Sequence, residues 1–418
     1  MKKILFVAYG GGHINIIDLI GEKLLDEPHM EFTILALTTA YNKVVDKYPK
    51  GIVKKVSDYI HLFDSELTSI KTYGQELLAK NYNESSGISK EDTMIYLGCS
   101  MHDLVHKYGE KEAKELYSLK KRQAFLPVDT MKKIIQYEQC DIVVSTTSPR
   151  FEQASFIAAN QLGIITVEIL DLFGELYPLP EARHIVCMNK DVEESLRKRG
   201  LNDRVYYHFG QPSIEATGKR VNGINPFQIK SKLQLKNSPT LLFATQQPMI
   251  YNSDYSYAGC IGYDTINNFI FNLFNGLHQK YDLNILLRIH PNEDIKNYQK
   301  YLDKYPFVHY VNDILNLEES LAASEILVAQ TSTVCLEAIA SHKPVFTFQT
   351  HLDKTYTMPR YKYEPFIFSD GFEELENNLS TYLSNPYKIK EEDFLPKNSV
   401  ENIIKLLKDL ENDNNDFR

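Results

Sequence analysis

Short apolar runs alternate with stretches of helical periodicity along most of the chain. In the first half, apolar runs predict strands at 3–8, 32–37, 141–145, 164–169, 185–188 and 204–209, and the three-to-four spacing of apolar residues predicts helices at 14–25 and 151–162. In the second half, strands are predicted at 240–244, 284–289, 307–311, 326–329 and 344–348, with helices between them. Strands that alternate with helices are typical of parallel sheets with right-handed crossovers. The pattern therefore predicts an α/β fold.

Two interruptions divide this pattern into domains. Residues 57–135 are charged and have helical periodicity, which predicts a helical insertion, and glycine and proline become frequent at 210–238. We therefore predict an N-terminal Rossmann-like domain over 1–212, a linker over 213–236, a C-terminal Rossmann-like domain over 237–400, and a terminal helix with a frayed tail over 401–418. Ligands of open α/β sheets bind beyond the carboxyl ends of the strands, so we expect a site in a cleft between the two domains.

Composition narrows the class of protein. The chain has 418 residues, 43% of them apolar and 24% charged, and a net charge of −9, which argues against nucleic acid as a partner. The first apolar run is too short for a signal peptide or a membrane span, so a cytoplasmic protein is expected, with peripheral association at the inner face of the membrane left open. Five scattered cysteines suggest neither disulfides nor a metal knuckle. Neither a P-loop nor a metal-binding motif is present, and we expect no metal or other cofactor.

A hydroxyl-rich turn follows the apolar run at 326–329. Thr331, Ser332 and Thr333 lie where a short helix is predicted to begin, and unpaired backbone N–H groups at a helix start attract phosphate. Glu337 lies about one helical turn further on, where its carboxylate could accept two ribose hydroxyls. An ordinary capped helix would use the same residue types. The turn is therefore a candidate nucleotide site.

Two further strand ends in the second half carry polar side chains. Pro291 stops the run at 284–289 and would display His290 at the strand's carboxyl end, where an imidazole can donate to phosphate. A lone surface or capping histidine is the alternative. Thr245 and Gln246 follow the run at 240–244, where they could contact a phosphate or a donor sugar, although plain turn chemistry explains them equally well.

The first half has a glycine cluster and an acidic loop. Gly11 and Gly12, with Gly10, permit close backbone approach of a substrate or a diphosphate after the first strand, and His13 is either a general base or a polar cap. Acids stand at or after the strand 164–169, in a loop stiffened by prolines: Glu168, Asp171, Glu175 and Glu181. A carboxylate in a cleft can accept a proton from an attacking hydroxyl, whereas a solvated acidic loop is the alternative.

These motifs together resemble the GT-B superfamily of glycosyltransferases and their relatives, the non-hydrolysing UDP-N-acetylglucosamine 2-epimerases. Residues 166–183 are similar to an epimerase segment that begins His-Val-Glu-Ala-Gly and ends Pro-Glu-Glu-x-x-Arg, and residues 288–292 match the His-Pro-Asn of that family. Residues 331–333 and Glu337 stand where the epimerases carry Ser-Gly-Gly and a ribose-binding glutamate. Residues 10–13 look like the first loop of transferases that act on lipid-linked or peptidoglycan acceptors.

Two departures from the epimerase pattern favour transfer over epimerisation. His-Ile-Asn at 13–15 replaces an Arg-Pro-Glu motif, and Ser-Thr-Thr at 145–147 replaces an acid after the fourth strand. His-Pro followed by a Ser/Thr pair is also similar to bacterial transferases that use CMP-activated acidic sugars or CDP-glycerol. Residues 171–174 match the acidic motif of the sialyltransferases only in part.

The resemblance implies a GT-B fold and a glycosyltransferase that moves a sugar from a CMP- or UDP-linked donor to a hydroxyl, in bacterial surface glycan or capsule synthesis. The C-terminal domain would hold the donor, and the N-terminal domain a glycan, lipid-linked or protein acceptor. The catalytic base would be Asp171, Glu168 or His13. A UDP-HexNAc 2-epimerase-like isomerase or hydrolase is the alternative.

Overall fold

A computed structural model describes residues 1–174, 179–251, 257–350, 359–387 and 394–410. The chain forms two compact units, Met1–Ser213 together with Pro396–Arg418, and Ile214–Leu395. The division after Ser213 lies next to the boundary expected after residue 212. The final residues 411–418, for which a frayed tail is predicted, lie outside the described part of the chain.

The first unit is built on a parallel sheet. Within the described residues its strands follow the spatial order β3-β2-β1-β4-β5-β6-β7. The strands are β1 (Lys2–Ala8), β2 (Met30–Ala36), β3 (Val53–Lys54), β4 (Ile142–Thr146), β5 (Ile165–Ile169), β6 (His184–Cys187) and β7 (Val205–His208). This is a doubly wound order, and the strand order reverses between β1 and β4.

Helices cover both faces of this sheet. They are α1 (Gly12–Leu24), α2 (Ala40–Val44), α3 (Leu67–Asn81), α4 (Lys90–Tyr108), α5 (Glu110–Lys120), α6 (Val128–Glu138), α7 (Phe151–Gln161) and α8 (Lys190–Lys198). Short 3₁₀ helices add Val45–Lys47, Val56–Phe63, Glu84–Ser86 and Lys121–Ala124. The apolar run of β1 is continuous because both faces of the strand are buried. Leu5 packs into the core on the α7 side, and Phe6 packs into the core on the α1 side.

The helical insertion predicted at 57–135 consists of α3, α4, α5 and the larger part of α6. Helices α3 and α4 pack closely because two glycines face the partner backbone. A Cβ on Gly74 would lie 2.1 Å from the carbonyl oxygen of Met94, and a Cβ on Gly98 would lie 2.1 Å from that of Ile70. The pair therefore forms a compact layer beside the sheet.

The second unit is also built on a parallel sheet. Within the described residues its strands follow the order β12-β11-β8-β13-β14-β15, and a separate antiparallel hairpin joins β9 to β10. The strands are β8 (Thr240–Ala244), β9 (Met249–Tyr251), β10 (Tyr257–Cys260), β11 (Asn284–Arg288), β12 (Val308–Tyr310), β13 (Ile326–Ala329), β14 (Val345–Gln349) and β15 (Ile367–Asp370). Here the strand order reverses between β8 and β13.

The helices of this part are α9 (Pro212–Gly223), α10 (Pro226–Lys232), α11 (Tyr263–Tyr281), α12 (Gln299–Lys304), α13 (Leu317–Ala322), α14 (Val334–Ala340) and α15 (Phe372–Ser384), with 3₁₀ helices at Ile295–Asn297 and Pro359–Lys362. Helix α11 packs on the sheet through Ile270, Phe271 and Phe274. The terminal helix α16 (Ser399–Asp409) returns to the first unit, where Ile403 and Leu407 join the core beneath α1.

The linker predicted over 213–236 is wrong, because most of this segment is helical. The glycines and prolines that suggested a linker begin, end or pack these helices. Pro226 lies in the first turn of α10, where it suits a helix start, and the Asn225 side chain accepts the Phe227 N–H at 3.0 Å. Gly218 lies inside α9, where a Cβ would come within 2.4 Å of the Ala340 carbonyl oxygen.

The predicted strands all correspond to strands of the two sheets, whereas β3, β15 and the β9–β10 hairpin were not predicted. These are short or contain polar residues, so they lack a continuous apolar run. No helix within the described ranges is long and apolar enough to cross a membrane.

Candidate functional site

His290 stands immediately beyond the carboxyl end of β11 in the second unit. The backbone N–H of His290 donates to Thr245 Oγ1 at 3.2 Å and to Glu293 Oε2 at 3.0 Å. The backbone N–H of Glu293 donates to the His290 carbonyl at 2.9 Å, which closes the turn containing Pro291. The Asn292 N–H donates to His290 Nδ1 at 3.1 Å. In the neutral ring Nε2 therefore carries the proton. The exposed imidazole is set to donate through Nε2 to a ligand.

Glu293 fixes this turn to the end of β8. The Thr245 hydroxyl donates to its Oε2 at 2.5 Å and the Tyr298 hydroxyl to its Oε1 at 2.8 Å. Thr245 is predicted to contact a ligand, but its hydroxyl donates its hydrogen bond to Glu293, in the turn that carries His290. Sequence inspection did not identify Glu293, since its role depends on a partner from another strand end.

The next residue connects β8 to the hydroxyl-rich turn. Gln246 Nε2 donates to Thr331 Oγ1 at 3.1 Å, and the Thr331 N–H donates to Gln246 Oε1 at 3.3 Å. Hydrogen bonds therefore run from His290 through the adjacent residues Thr245 and Gln246 to Thr331. They join the loops after β11, β8 and β13 at the point where the strand order of the second sheet reverses.

The hydroxyl-rich turn leads directly into α14, as predicted. The Ser332 carbonyl accepts from the Tyr361 hydroxyl and from the Cys335 N–H, both at 3.0 Å. Thr333 is the exposed cap residue, and its side chain makes no capping hydrogen bond. Across the described residues, the backbone N–H groups of Ser332 and Thr333 have no acceptor. Two backbone donors thus remain available after β13, which β8 separates from the strand that leads to His290.

Glu337 lies one turn into α14, with most of its side chain buried. Burial, reinforced by the Glu318 carboxylate, raises the pKa of Glu337 to about 7, and the charges of Arg220 and Arg288 offset only part of this. Arg220 itself pairs with Glu318 at 2.7 Å, and Arg288 donates to the Leu315 carbonyl at 2.9 Å. The Glu337 carboxyl has no hydrogen-bond donor among the described residues, which leaves both of its oxygens available to a ligand.

In the first unit, the glycine cluster brings His13 to the point where the strand order reverses. A Cβ on Gly10 would lie 1.9 Å from the Thr39 hydroxyl, whereas Gly11 caps α1 with φ +76° and Gly12 has open space around it. His13 Nδ1 lies 2.9 Å from Thr146 Oγ1, at the end of β4. Burial, with a smaller effect of Arg150, lowers the pKa of His13 to about 4. His13 is therefore neutral at physiological pH.

Two charged residues next to His13 were not identified from the sequence. Glu152 is fully buried at the start of α7; its Oε1 accepts the Tyr9 N–H at 2.8 Å, and burial raises its pKa to about 7. Its Oε2 and the Nε of Arg150 are buried without hydrogen-bond partners in the described chain. Arg150 has φ +76°, and its guanidinium lies 5.1 Å from the centre of the Tyr9 ring. The sequence signal is weak: Arg150 and Glu152 stand in an Arg-Phe-Glu run a few residues after β4 ends at Thr146.

The acids predicted as bases occupy different environments. Asp171 follows β5; it is partly exposed, its Oδ1 has no partner among the described residues, and burial raises its pKa to about 6. Glu168 is fully buried, accepts the Glu181 N–H at 3.2 Å and has its pKa raised to about 8 by burial. It lines a small cavity beside Phe156 of α7, on the opposite face of the sheet from α1. Glu175 lies outside the described residues.

Two doubly wound parallel α/β units, each with polar side chains at its point of strand-order reversal, define the GT-B fold. Solved structures agree. UDP-GlcNAc 2-epimerase from Methanocaldococcus jannaschii has a TM-score of 0.62 at 13% identity, over 97% of this chain and 99% of that chain. UDP-GlcNAc 2-epimerase from Neisseria meningitidis bound to UDP-GlcNAc gives 0.61 at 12% identity, over 97% and 100%.

MurG from Acinetobacter baumannii is also similar, with a TM-score of 0.51 at 9% identity, over 98% of this chain and 100% of that chain. No protein-family model matches the sequence, and no curated protein sequence matches it significantly. At these sequence identities the structural similarity establishes the fold and leaves the reaction to the chemistry of the site residues.

Proposed function

We propose that this chain is a glycosyltransferase that moves a sugar from a UDP- or CMP-linked donor to a hydroxyl acceptor. The observation that carries the proposal is the hydrogen-bonded series from His290 through Thr245 and Gln246 to Thr331. It gathers an imidazole donor and a hydroxyl-rich turn at the point of strand-order reversal of the second unit, where open α/β sheets bind nucleotides.

The second unit would hold the donor. The Nε2–H of His290 and the backbone N–H groups of Ser332 and Thr333 supply hydrogen bonds to phosphate oxygens. Glu337, when ionised, accepts the two ribose hydroxyls. Two epimerases of the same fold bind UDP-GlcNAc in their solved structures, and one of them also binds UDP, which supports a nucleotide sugar as the ligand.

The first unit would supply the base. The acceptor oxygen forms a bond to the anomeric carbon while the bond from that carbon to the phosphate oxygen breaks, and the nucleotide leaves with the bonding electrons. The hydroxyl proton passes to a carboxylate, for which Asp171 is best suited, because it is partly exposed and its pKa of about 6 suits proton transfer near neutral pH. His13, with a pKa of about 4, is a weak base, and Glu168, with a pKa of about 8, is mostly protonated at pH 7.

Calorimetric titration with UMP, UDP, CMP, CDP and GDP tests the donor site. His290→Ala should weaken the best ligand about tenfold to a hundredfold, the usual effect of losing one hydrogen bond to a charged group. His29→Ala, at an exposed histidine of the first unit, is the matched control and should bind normally. Equal affinities for wild type and His290→Ala would contradict the phosphate role.

Epimerisation is the second candidate, and the likeness to two UDP-GlcNAc 2-epimerases over nearly the whole chain favours it. Incubation with UDP-GlcNAc in D₂O separates the two reactions, because an epimerase exchanges the proton at C2 of the sugar and a transferase does not. We expect no deuterium at C2, no new epimer, and at most slow hydrolysis without an acceptor. Deuterium incorporation would assign the epimerase reaction instead.

A further inference from the structure

A cavity of about 230 Å³ opens in the first unit between the sheet and the helical insertion. Tyr9 and Thr38, which follow β1 and β2, line it on the sheet side, and Asn81, Tyr96 and Arg122 line it on the insertion side. The volume is just below the roughly 300–1,000 Å³ of pockets for drug-sized ligands, so a single sugar ring is a suitable occupant.

Thr38 indicates that this cavity is a binding site. Its φ of +50° is in the left-handed region, which a β-branched residue rarely adopts. Its hydroxyl is buried and has no hydrogen-bond partner among the described residues. The buried hydroxyl is out of reach of a ligand in the cavity, but backbone strain of this kind is concentrated at ligand-binding and active sites, which supports the cavity as a binding site.

The other walls suit a carbohydrate. Tyr9 and Tyr96 contribute aromatic rings, and Tyr96 is held in place by Phe151, whose ring centre lies 4.9 Å away. Asn81 contributes an amide whose Nδ2 already donates to the Leu77 carbonyl and the Tyr117 hydroxyl, so its orientation is fixed. A sugar presents C–H faces to aromatic rings and hydroxyls to amides, and this wall offers both.

The charges lining the cavity favour an acidic ligand. Lys55 and Asp92 form a salt bridge, with Nζ 2.9 Å from Oδ2. The Ser57 hydroxyl also donates to Asp92 Oδ1 at 2.5 Å. Arg122, by contrast, has no carboxylate partner within the described chain. Its positive charge acts to lower the pKa of the Tyr96 hydroxyl, against the larger effect of burial. The cavity therefore retains one unpaired guanidinium, which matches a carboxylate.

The cavity also lies beside the charged residues Glu152 and Arg150. Tyr9 is one of the lining residues; its backbone N–H donates to Glu152, and its ring lies against the Arg150 guanidinium. Tyr9 follows β1, and the neighbouring strand β4 ends at Thr146, whose hydroxyl lies 2.9 Å from His13 Nδ1.

From these features we propose that the cavity binds the terminal sugar of the acceptor and that this sugar is acidic, with its carboxylate paired to Arg122. The proposal rests on the transferase function inferred above, for which it names the acceptor class.

Saturation-transfer NMR with methyl glycosides measures this directly, without donor or turnover. Methyl glucuronide and methyl sialoside are the acidic probes, and methyl glucoside and methyl N-acetylglucosaminide the neutral ones. We expect the acidic probes to bind more tightly, and Arg122→Gln to weaken them about tenfold or more while leaving the neutral probes unchanged. Lys121→Gln, the adjacent exposed cation that does not line the cavity, is the matched control.

Asn81→Ala removes the amide from the cavity wall and should weaken all probes. Thermal unfolding of each variant verifies that it is folded. Equal binding of acidic and neutral probes, or an unchanged Arg122→Gln variant, would overturn the acidic specificity. If no probe binds although UDP or CMP still binds the second unit, the cavity proposal fails and the transferase proposal stands. If probes bind as expected but no nucleotide binds, the transferase proposal fails and the sugar site stands.

Discussion

Glu337→Gln separates the cost of burying this carboxyl from its use in nucleotide binding. Burial raises the pKa of Glu337 from 4.5 in an exposed glutamate to about 7, despite the nearby charges of Arg220 and Arg288. At about 1.36 kcal/mol per pKa unit, the ionised carboxyl destabilises the folded second unit by about 3 kcal/mol. A neutral glutamine of the same shape removes that penalty.

The sign of the pH dependence follows from the direction of the shift. An acid whose pKa is higher in the folded state binds more protons when folded, so the free energy of unfolding falls as the pH rises. The penalty is absent below pH 4.5, grows between pH 4.5 and about 7, and is complete above that range. The free energy of unfolding of Glu337→Gln should therefore equal that of wild type near pH 4.5 and exceed it by about 3 kcal/mol at pH 8.

Urea unfolding at the two pH values, without nucleotide, measures this difference. The two units need not unfold in one transition, so pulse proteolysis with mass spectrometry should follow peptides of the second unit. Glu376→Gln, at an exposed glutamate of the same unit, should change stability little at either pH. With UDP or CMP present, Glu337→Gln should bind more weakly, because the ribose hydroxyls lose an ionised acceptor. If Glu337→Gln stabilised the second unit equally at both pH values, or destabilised it at pH 8, the reasoning would be refuted.

Three further outcomes are expected. Gly218→Ala should destabilise the second unit by about 1–3 kcal/mol in thermal unfolding, because its Cβ would lie 2.4 Å from the Ala340 carbonyl oxygen, whereas Gly223→Ala, with open space around it, should not. Asp171→Asn should slow transfer by about 10²–10⁴-fold and abolish the rise of the wild-type rate through pH 6, while Glu168→Gln should keep most activity at pH 7. The opposite ranking would move the base to Glu168. Turnover should persist in EDTA, and loss of turnover restored by a divalent cation would contradict the metal-independent prediction.

The clearest predictions are the strands that are buried on both faces. The runs at residues 4–8 of β1, 241–244 of β8 and 326–329 of β13 are apolar because helices cover the sheet on either side, so composition alone predicts these strands. The two-residue edge strand β3 has no such run. The linker prediction for 213–236 is wrong because the same glycines and prolines occur in linkers and at helix ends, and the close approach of Gly218 to Ala340 exists only in the folded chain.

For the candidate site, the sequence by itself determined which residues stand at strand ends, since a proline or a hydroxyl run after an apolar stretch is a local signal. His290 and the turn 331–333 are such cases. Only the tertiary structure decided what each group does there. Thr245 donates to a glutamate 48 positions away, Glu152 accepts from the backbone of Tyr9, and burial sets the protonation of His13. These relations join strands that are neighbours in a sheet but distant in the chain, and burial is a property of the packed fold, so local sequence carries neither.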